Sequence, residues 1–189
     1  MRVITGSARG TKLITLESMD LRPTGERVKE AIFSMLQFEI EGRRVLDLFA
    51  GSGQLGIESL SRGAEHCTFV DSNSQAVKII KENLIHAKLF AQATVLSNDF
   101  LAFLLHNKNS YDIVFIDPPY SRELAEKALC VVTPLVSPNG VIVVETAKRD
   151  PLPQTSGTFE LVSRKNYGKA NISVYRVPPA VSAEIWSLI

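Results

Sequence analysis

The sequence predicts a doubly wound α/β fold, a mostly parallel sheet of seven strands ending in an antiparallel hairpin, and three observations predict it. Short apolar runs such as Ile113-Val114-Phe115-Ile116 and Val141-Ile142-Val143-Val144 suit strands buried on both faces of a parallel sheet. From residue 43 onward such runs alternate with helical periodicity, the pattern of βαβ units joined by right-handed crossovers. Near residue 147 the alternation stops, because Ala147-Lys148-Arg149-Asp150-Pro151-Leu152-Pro153 is turn-rich and the stretch to 158 is too short for another crossover helix. With 189 residues and 45% hydrophobic side chains, the chain can bury one core without staples, and a single domain over 1–189 is expected.

The elements follow in order. Residues 2–16 read as a β-hairpin, Val3-Ile4-Thr5 and Lys12–Leu16 around a turn at Gly6–Gly10. Pro23 biases Arg22 to extended backbone, and Thr24 is a candidate cap for a helix over about 25–38. That helix places Val28, Ala31, Ile32, Met35 and Leu36 on one face and leaves Arg27, Lys29 and Glu30 largely outside. Hairpin and helix together make an N-terminal unit of residues 1–42, ahead of the α/β fold proper over 43–177. Strands are expected at Val45–Phe49, Cys67–Asp71, Thr94–Ser97, Tyr111–Ile116 and Val141–Thr146. Between them lie helices at Leu55–Ser61, Ser74–Ala87 (capped by Ser74), Asp99 to about His106, and Glu123–Thr133. Phe159–Arg164 and Asn171–Val177 form the closing hairpin around Tyr167-Gly168-Lys169. The tail, 178–189, holds the only Trp, Trp186, and an amphipathic turn or two with no functional reading.

Composition excludes several classes. A net charge of +1 with 22% charged residues is neither an acidic nor a basic tail and neither demands nor excludes nucleic acid. Cys67 and Cys130 alone cannot build a disulfide framework or a four-ligand zinc site, so both are expected as buried free thiols. His66, His86 and His106 show no ligand spacing, and no metal is expected. The first residues lack the apolar core of a signal peptide, no run approaches bilayer length, and a cytosolic protein is expected. On that route the sequon Asn171-Ile172-Ser173 is a chance match.

Chemistry enters at four places. Asp47-Leu48-Phe49-Ala50-Gly51-Ser52-Gly53-Gln54-Leu55-Gly56 joins the first strand to its helix, with Gly51 and Gly53 letting backbone approach a ligand at the carboxyl end of the sheet. Glycine spacing alone also fits dinucleotide enzymes. Asp47, however, would repel a pyrophosphate, whereas it suits S-adenosylmethionine, which carries an ammonium and a sulfonium and no phosphate; a loop-capping role is the alternative. Asp71 closes the second strand, where a carboxylate accepts from ribose hydroxyls. Asp99 either accepts from an adenine amine, with Phe100 over the ring, or caps the next helix. After the fourth strand comes Asp117-Pro118-Pro119-Tyr120. Two prolines stiffen the backbone and remove donors, so the Asp117 carboxylate and the Pro118 carbonyl can both face one amine while Tyr120 offers a stacking plane. That arrangement suits methylation of an exocyclic base amine, which needs acceptors to free its conjugated lone pair and a base extruded from its stack.

The ordered set Arg22-Pro23-Thr24, Asp47…Gly51-Ser52-Gly53, Asp71, Asp99 and Asp117-Pro118-Pro119-Tyr120 resembles the Rossmann-like class I methyltransferases. The opening Met1–Gly10, Arg27-Val28 and Leu60–Ala64 bring it closer to the RsmD-type bacterial 16S ribosomal RNA guanine-N2 methyltransferases, over about residues 1–177. Glu26 stands where that family often has Asp, and the tail beyond Val177 lies outside the resemblance. The resemblance implies that Thr24, Asp47, Gly51, Gly53, Asp71, Ser72, Asp99 and Phe100 bind S-adenosylmethionine. It implies a catalytic role for Asp117, Pro118, Pro119 and Tyr120, and RNA contacts from Arg9, Arg22, Arg27 and Arg122. The expected partner is small-subunit ribosomal RNA or an assembling small subunit, met by a monomeric enzyme.

Further basic residues, Arg2, Lys12 and Lys29 before the sheet and Lys148, Arg149, Arg164, Lys165 and Lys169 after it, would complete a phosphate-gripping rim if they flank Tyr120. Rival readings are a DNA adenine-N6 or cytosine-N4 amino-methyltransferase, a NAD-dependent oxidoreductase and a non-catalytic RNA-binding protein. The length leaves no room for a separate target-recognition domain, which weighs against the DNA enzyme.

Overall fold

The computed structural model describes residues 1–16, 23–119, 122–150 and 152–179. Five strands, β1 (Arg44–Leu48), β2 (His66–Asp71), β3 (Ala93–Ser97), β4 (Tyr111–Ile116) and β5 (Val136–Ala147), pair in parallel. Three more, β6 (Thr155–Ser156), β7 (Phe159–Tyr167) and β8 (Ala170–Arg176), complete an eight-stranded sheet in the order β3-β2-β1-β4-β5-β8-β7-β6. The added strand is the two-residue β6, which pairs with the first residues of β7. β8 inserts antiparallel between β5 and β7, as the hairpin reading expects.

Helices α1 (Pro23–Met35), α2 (Gln54–Ser61), α3 (Ser74–His86), α4 (Phe100–His106) and α5 (Arg122–Val132) cover the sheet. Strand alternation divides the core in two. Val45, Cys67, Phe69, Ile113, Phe115, Val143 and Val174 face Ile32, Phe33, Ile57 and Ile80 from α1, α2 and α3. Leu46, Leu48, Val70, Val114, Ile116, Val144 and Tyr175 face Phe103, Ala125 and Leu129 from α4 and α5. Each large side chain so buried contributes roughly 1.5–3 kcal/mol.

The expected N-terminal hairpin is present but short, with the Val3 N–H on the Thr11 carbonyl, the Gly10 N–H on the Val3 carbonyl and the Leu13 N–H on the Met1 carbonyl. Arg2 and Lys12 form an isolated antiparallel bridge rather than a ladder. The reason lies in α2: the Ile4 and Thr5 N–H groups donate to the fully buried Glu58 carboxylate at 2.8 and 3.0 Å, so they are not spent across the hairpin. The Ser7 N–H and the Ala8 N–H likewise donate to the Ser61 carbonyl and hydroxyl. Gly6, at φ +88°, lies so close that a Cβ would overlap the Ser61 carbonyl.

Four local expectations are corrected by packing. Lys29 is 1% exposed; its ammonium donates to the Arg2 carbonyl and pairs with Glu58 at 3.4 Å. Burial lowers its pKa against the opposing pull of Glu58. α1 begins at Pro23, whose fixed φ and missing N–H suit a first helical position, so Thr24 sits in the first turn rather than at the cap. α3 is capped by Asn73, not Ser74: the Asn73 side chain accepts from the Gln75 and Ala76 N–H groups. Cys67 is buried, but Cys130 is exposed on α5. Asn171 of the sequon is 4% exposed in β8, donating to the Ala147 and Lys148 carbonyls. Tyr120, Arg22 and the tail from 180 lie outside the described residues, as do the side chains of Thr24 and Arg122.

Along β7 the register slips between Leu161 and Ser163, leaving Val162 exposed at the irregularity. β6 covers only Phe159 and Glu160, so among the described residues the outer edge of β7 from Ser163 onward has no strand beside it.

Candidate active site

The sheet order reverses direction between β1 and β4, and the crevice at their carboxyl ends is where open α/β sheets bind ligands. Leu48 of β1 lies beside Ile116 of β4, so the loop after β1 and the Asp117-Pro118-Pro119 segment are neighbours. The Asp117 N–H donates to the Leu48 carbonyl at 3.5 Å.

The glycine loop turns in the left-handed region three times, at Phe49 (φ 64°), Gly51 (φ 55°) and Gly53 (φ 76°). Such a backbone is costly for Phe49 and easy for glycine. The turn closes with the Gly53 N–H on the Ala50 carbonyl at 2.7 Å, and α2 starts at the next residue. Asp71, at the end of β2, holds the loop from the side, accepting the Gly51 N–H at 2.8 Å with one oxygen and the Asn73 N–H with the other. Ser72 is exposed beside it.

Asp47 is 2% exposed and accepts the Gly56 N–H at 2.9 Å, fastening β1 to α2. Burial, with help from the charges of Asp117 and Asp71, pushes its pKa up to about 8 despite that hydrogen bond. Burial also lifts Asp117 to about 6. Pro118 is buried while Pro119 faces solvent. Asp99 caps α4, accepting from the Leu101 and Ala102 N–H groups through one oxygen. Phe100 is 9% exposed with its ring 4.9 Å from that of Phe49.

Two residues escaped the sequence reading. Phe49 carries the strained backbone and packs against Phe100, and only its place inside the glycine motif could have signalled it. Gln54 Oε1 is buried with no hydrogen-bond partner among the described residues, at the very start of α2. A ligand donor would relieve that cost. Of the basic residues, Arg2, Arg9, Lys12, Arg27, Lys148, Arg149, Lys165 and Lys169 are exposed or half-exposed. Arg164 instead donates to the Leu152 carbonyl at 2.8 Å, and Lys29 is spent on Glu58, so neither joins a rim. Among the described residues no group of three potential metal ligands converges, and no helix is long and apolar enough to cross a membrane.

Asp71, Asp99 and Asp117 stand at or just beyond the carboxyl ends of β2, β3 and β4, a set of acceptors that disfavours pyrophosphate and fits a cationic, hydroxyl-bearing cofactor. With the strand order above and the glycine loop at the switch point, fold and site define a class I S-adenosylmethionine-dependent methyltransferase. Comparison with known proteins narrows the class. Residues 1–176 match the family described as "Conserved hypothetical protein 95", and the chain belongs to that family. A curated relative in Haemophilus influenzae, named ribosomal RNA small subunit methyltransferase D, is 40% identical over 181 residues, 93% of each chain. The solved Escherichia coli structure of a "Putative methyltransferase yhhF" superposes with a TM-score of 0.84 at 31% identity, covering 94% of this chain and 99% of that one. A hypothetical protein of a Thermus species superposes at 0.81 with 28% identity, covering 94% and 99%.

Proposed function

We propose that the chain methylates the exocyclic N2 amine of a guanine in small-subunit ribosomal RNA. The observation that carries the reading is the Asp117-Pro118-Pro119 segment beside the glycine loop at the switch point, which sets amine acceptors next to the cofactor site. S-adenosylmethionine supplies an electrophilic methyl on a sulfonium centre. The protein's part is to accept hydrogen bonds from the amine through the Asp117 carboxylate and the Pro118 carbonyl, orienting its lone pair. Pro119 stiffens the segment and Tyr120 stacks on the extruded base. Thr24, Asp47, Gly51, Gly53, Asp71, Ser72, Asp99 and Phe100 line the cofactor site. Asp47 and Asp99 also serve as backbone acceptors, so a share in cofactor binding is a second role for each.

The substrate class is supported by the names of the relatives and by exposed basic side chains in the N-terminal unit 1–42. Arg9 and Arg27 stand exposed there, and with Arg22 and Arg122 they would grip RNA phosphates. On this reading a cytosolic monomer acts on small-subunit ribosomal RNA or an assembling small subunit. The test is methyl transfer from labelled S-adenosylmethionine to unmodified small subunits and to DNA, with product nucleosides identified by mass spectrometry. N2-methylguanosine supports the reading; methyladenine or methylcytosine overturns the substrate.

A further inference from the structure

We propose that Asn83 is a positioning residue that links cofactor occupancy to the placement of the N-terminal segment; the segment's importance for RNA rests on the function proposed above. Asn83 lies on α3 and is fully buried. Its Nδ2 donates to the Ser52 carbonyl at 2.9 Å and to the Ile14 carbonyl at 2.9 Å, while its Oδ1 accepts the Ile14 N–H at 2.7 Å. Both amide hydrogens are therefore committed, one to the cofactor loop and one to the N-terminal segment. Ser52 stands between the two left-handed glycines, so any change of the loop around a ligand moves the carbonyl that Asn83 holds.

The segment's other anchors do not share this property. Glu58 and Ser61, both on α2, bind residues 4, 5, 7 and 8 and make no hydrogen bond to residues 49–53. Among the described residues, Asn83 is the side chain hydrogen-bonded to both loop and segment. Beyond Ile14, the Leu13 N–H donates to the Met1 carbonyl and the Val3 N–H to the Thr11 carbonyl, so displacement at Ile14 is passed to the stretch carrying Arg9 and Lys12. A ligand that orders the loop lowers the cost of ordering the segment, and the dependence is reciprocal.

The test is backbone hydrogen exchange over residues 3–13 with and without saturating S-adenosylhomocysteine, in wild type, Asn83→Ala and Ile14→Pro. Wild type is expected to slow about ten-fold when the ligand binds, and Asn83→Ala less than about two-fold although it is saturated too. Ile14→Pro removes the N–H given to Asn83 Oδ1 at a residue with an exposed side chain, leaves the Ser52 contact in place, and should show an intermediate response. It carries the test if Asn83→Ala does not fold. No slowing in wild type, or equal slowing in wild type and the variants, overturns the proposal. Arg9→Glu, assayed for binding of naked small-subunit RNA, is expected to lose affinity yet keep the exchange response, so the coupling and the RNA reading fail separately.

Discussion

The negative charge of Asp117 bears on Asp47 across the adjoining ends of β4 and β1, and it helps hold the Asp47 proton in place. With Asp117 lifted to about 6 and Asp47 to about 8, the pair at neutral pH carries its charge on Asp117. Division of labour between two carboxylates follows from their surroundings: the one with the higher pKa stays protonated and structural, the other ionises and can accept from an amine.

Methyl transfer should therefore rise with pH through about 6 as Asp117 ionises. Single-turnover rates between pH 5 and 8 would show the limb. Asp117→Asn should abolish it and slow transfer roughly 10²–10³-fold, while the affinity for S-adenosylhomocysteine, measured calorimetrically, stays within a few-fold.

Asp47 makes the opposite kind of pH dependence, in stability. Its pKa is near 3.8 unfolded and about 8 folded, so between those values the folded chain holds a proton the unfolded chain has released. Stability must fall as pH rises through that window, by at most ~1.4 kcal/mol per unit, and level off above it. Asp47→Asn keeps an acceptor for the Gly56 N–H and removes the titration. The apo variant should gain on wild type in urea midpoint at pH 8 compared with pH 5; a constant difference would refute this.

Glu58 is the counter-ion of buried Lys29 and the acceptor of two N-terminal amides and Arg62. Glu58→Ala leaves a buried ammonium without its counter-ion and two partly buried N–H groups without that acceptor, and should cost ~3–5 kcal/mol. Denaturant titration reads it directly, and the variant's exchange protection should vanish first at Ile4 and Thr5.

Asp99→Ala removes the cap of α4 and should destabilise by ~1 kcal/mol. If Asp99 also binds cofactor, the dissociation constant for S-adenosylhomocysteine weakens as well. Asp99→Asn, which retains a capping oxygen, separates the two by recovering stability without recovering affinity.

β1, β2, β4 and the Val141–Val144 stretch of β5 were legible because each is a short apolar run buried within the sheet, and Tyr111–Ile116 coincides with its expected span, whereas β3 at the edge is only partly buried. The glycine loop and Asp-Pro-Pro could be located for the same local reason. Lys29 was misplaced because helical periodicity sees only α1, whereas its partner Glu58 comes from a different helix. The shortness of the hairpin has the same origin: Gly6 turns the chain as expected, but α2 takes the Ile4 and Thr5 amides that would have extended the pairing. Asn83 was invisible for the converse reason. A lone Asn in a helix carries no motif, and its significance arises only where three separated segments meet.

The outer edge of β7 bears on how the protein behaves in a crowded cell. An open strand edge invites pairing with a second chain and growth into fibres. Here Lys165 stands exposed along that edge and Arg164 half-exposed, while the slipped register at Val162 bends the strand where a flat partner would have to dock. An incoming strand would meet charge and curvature together, and both work against edge-to-edge growth.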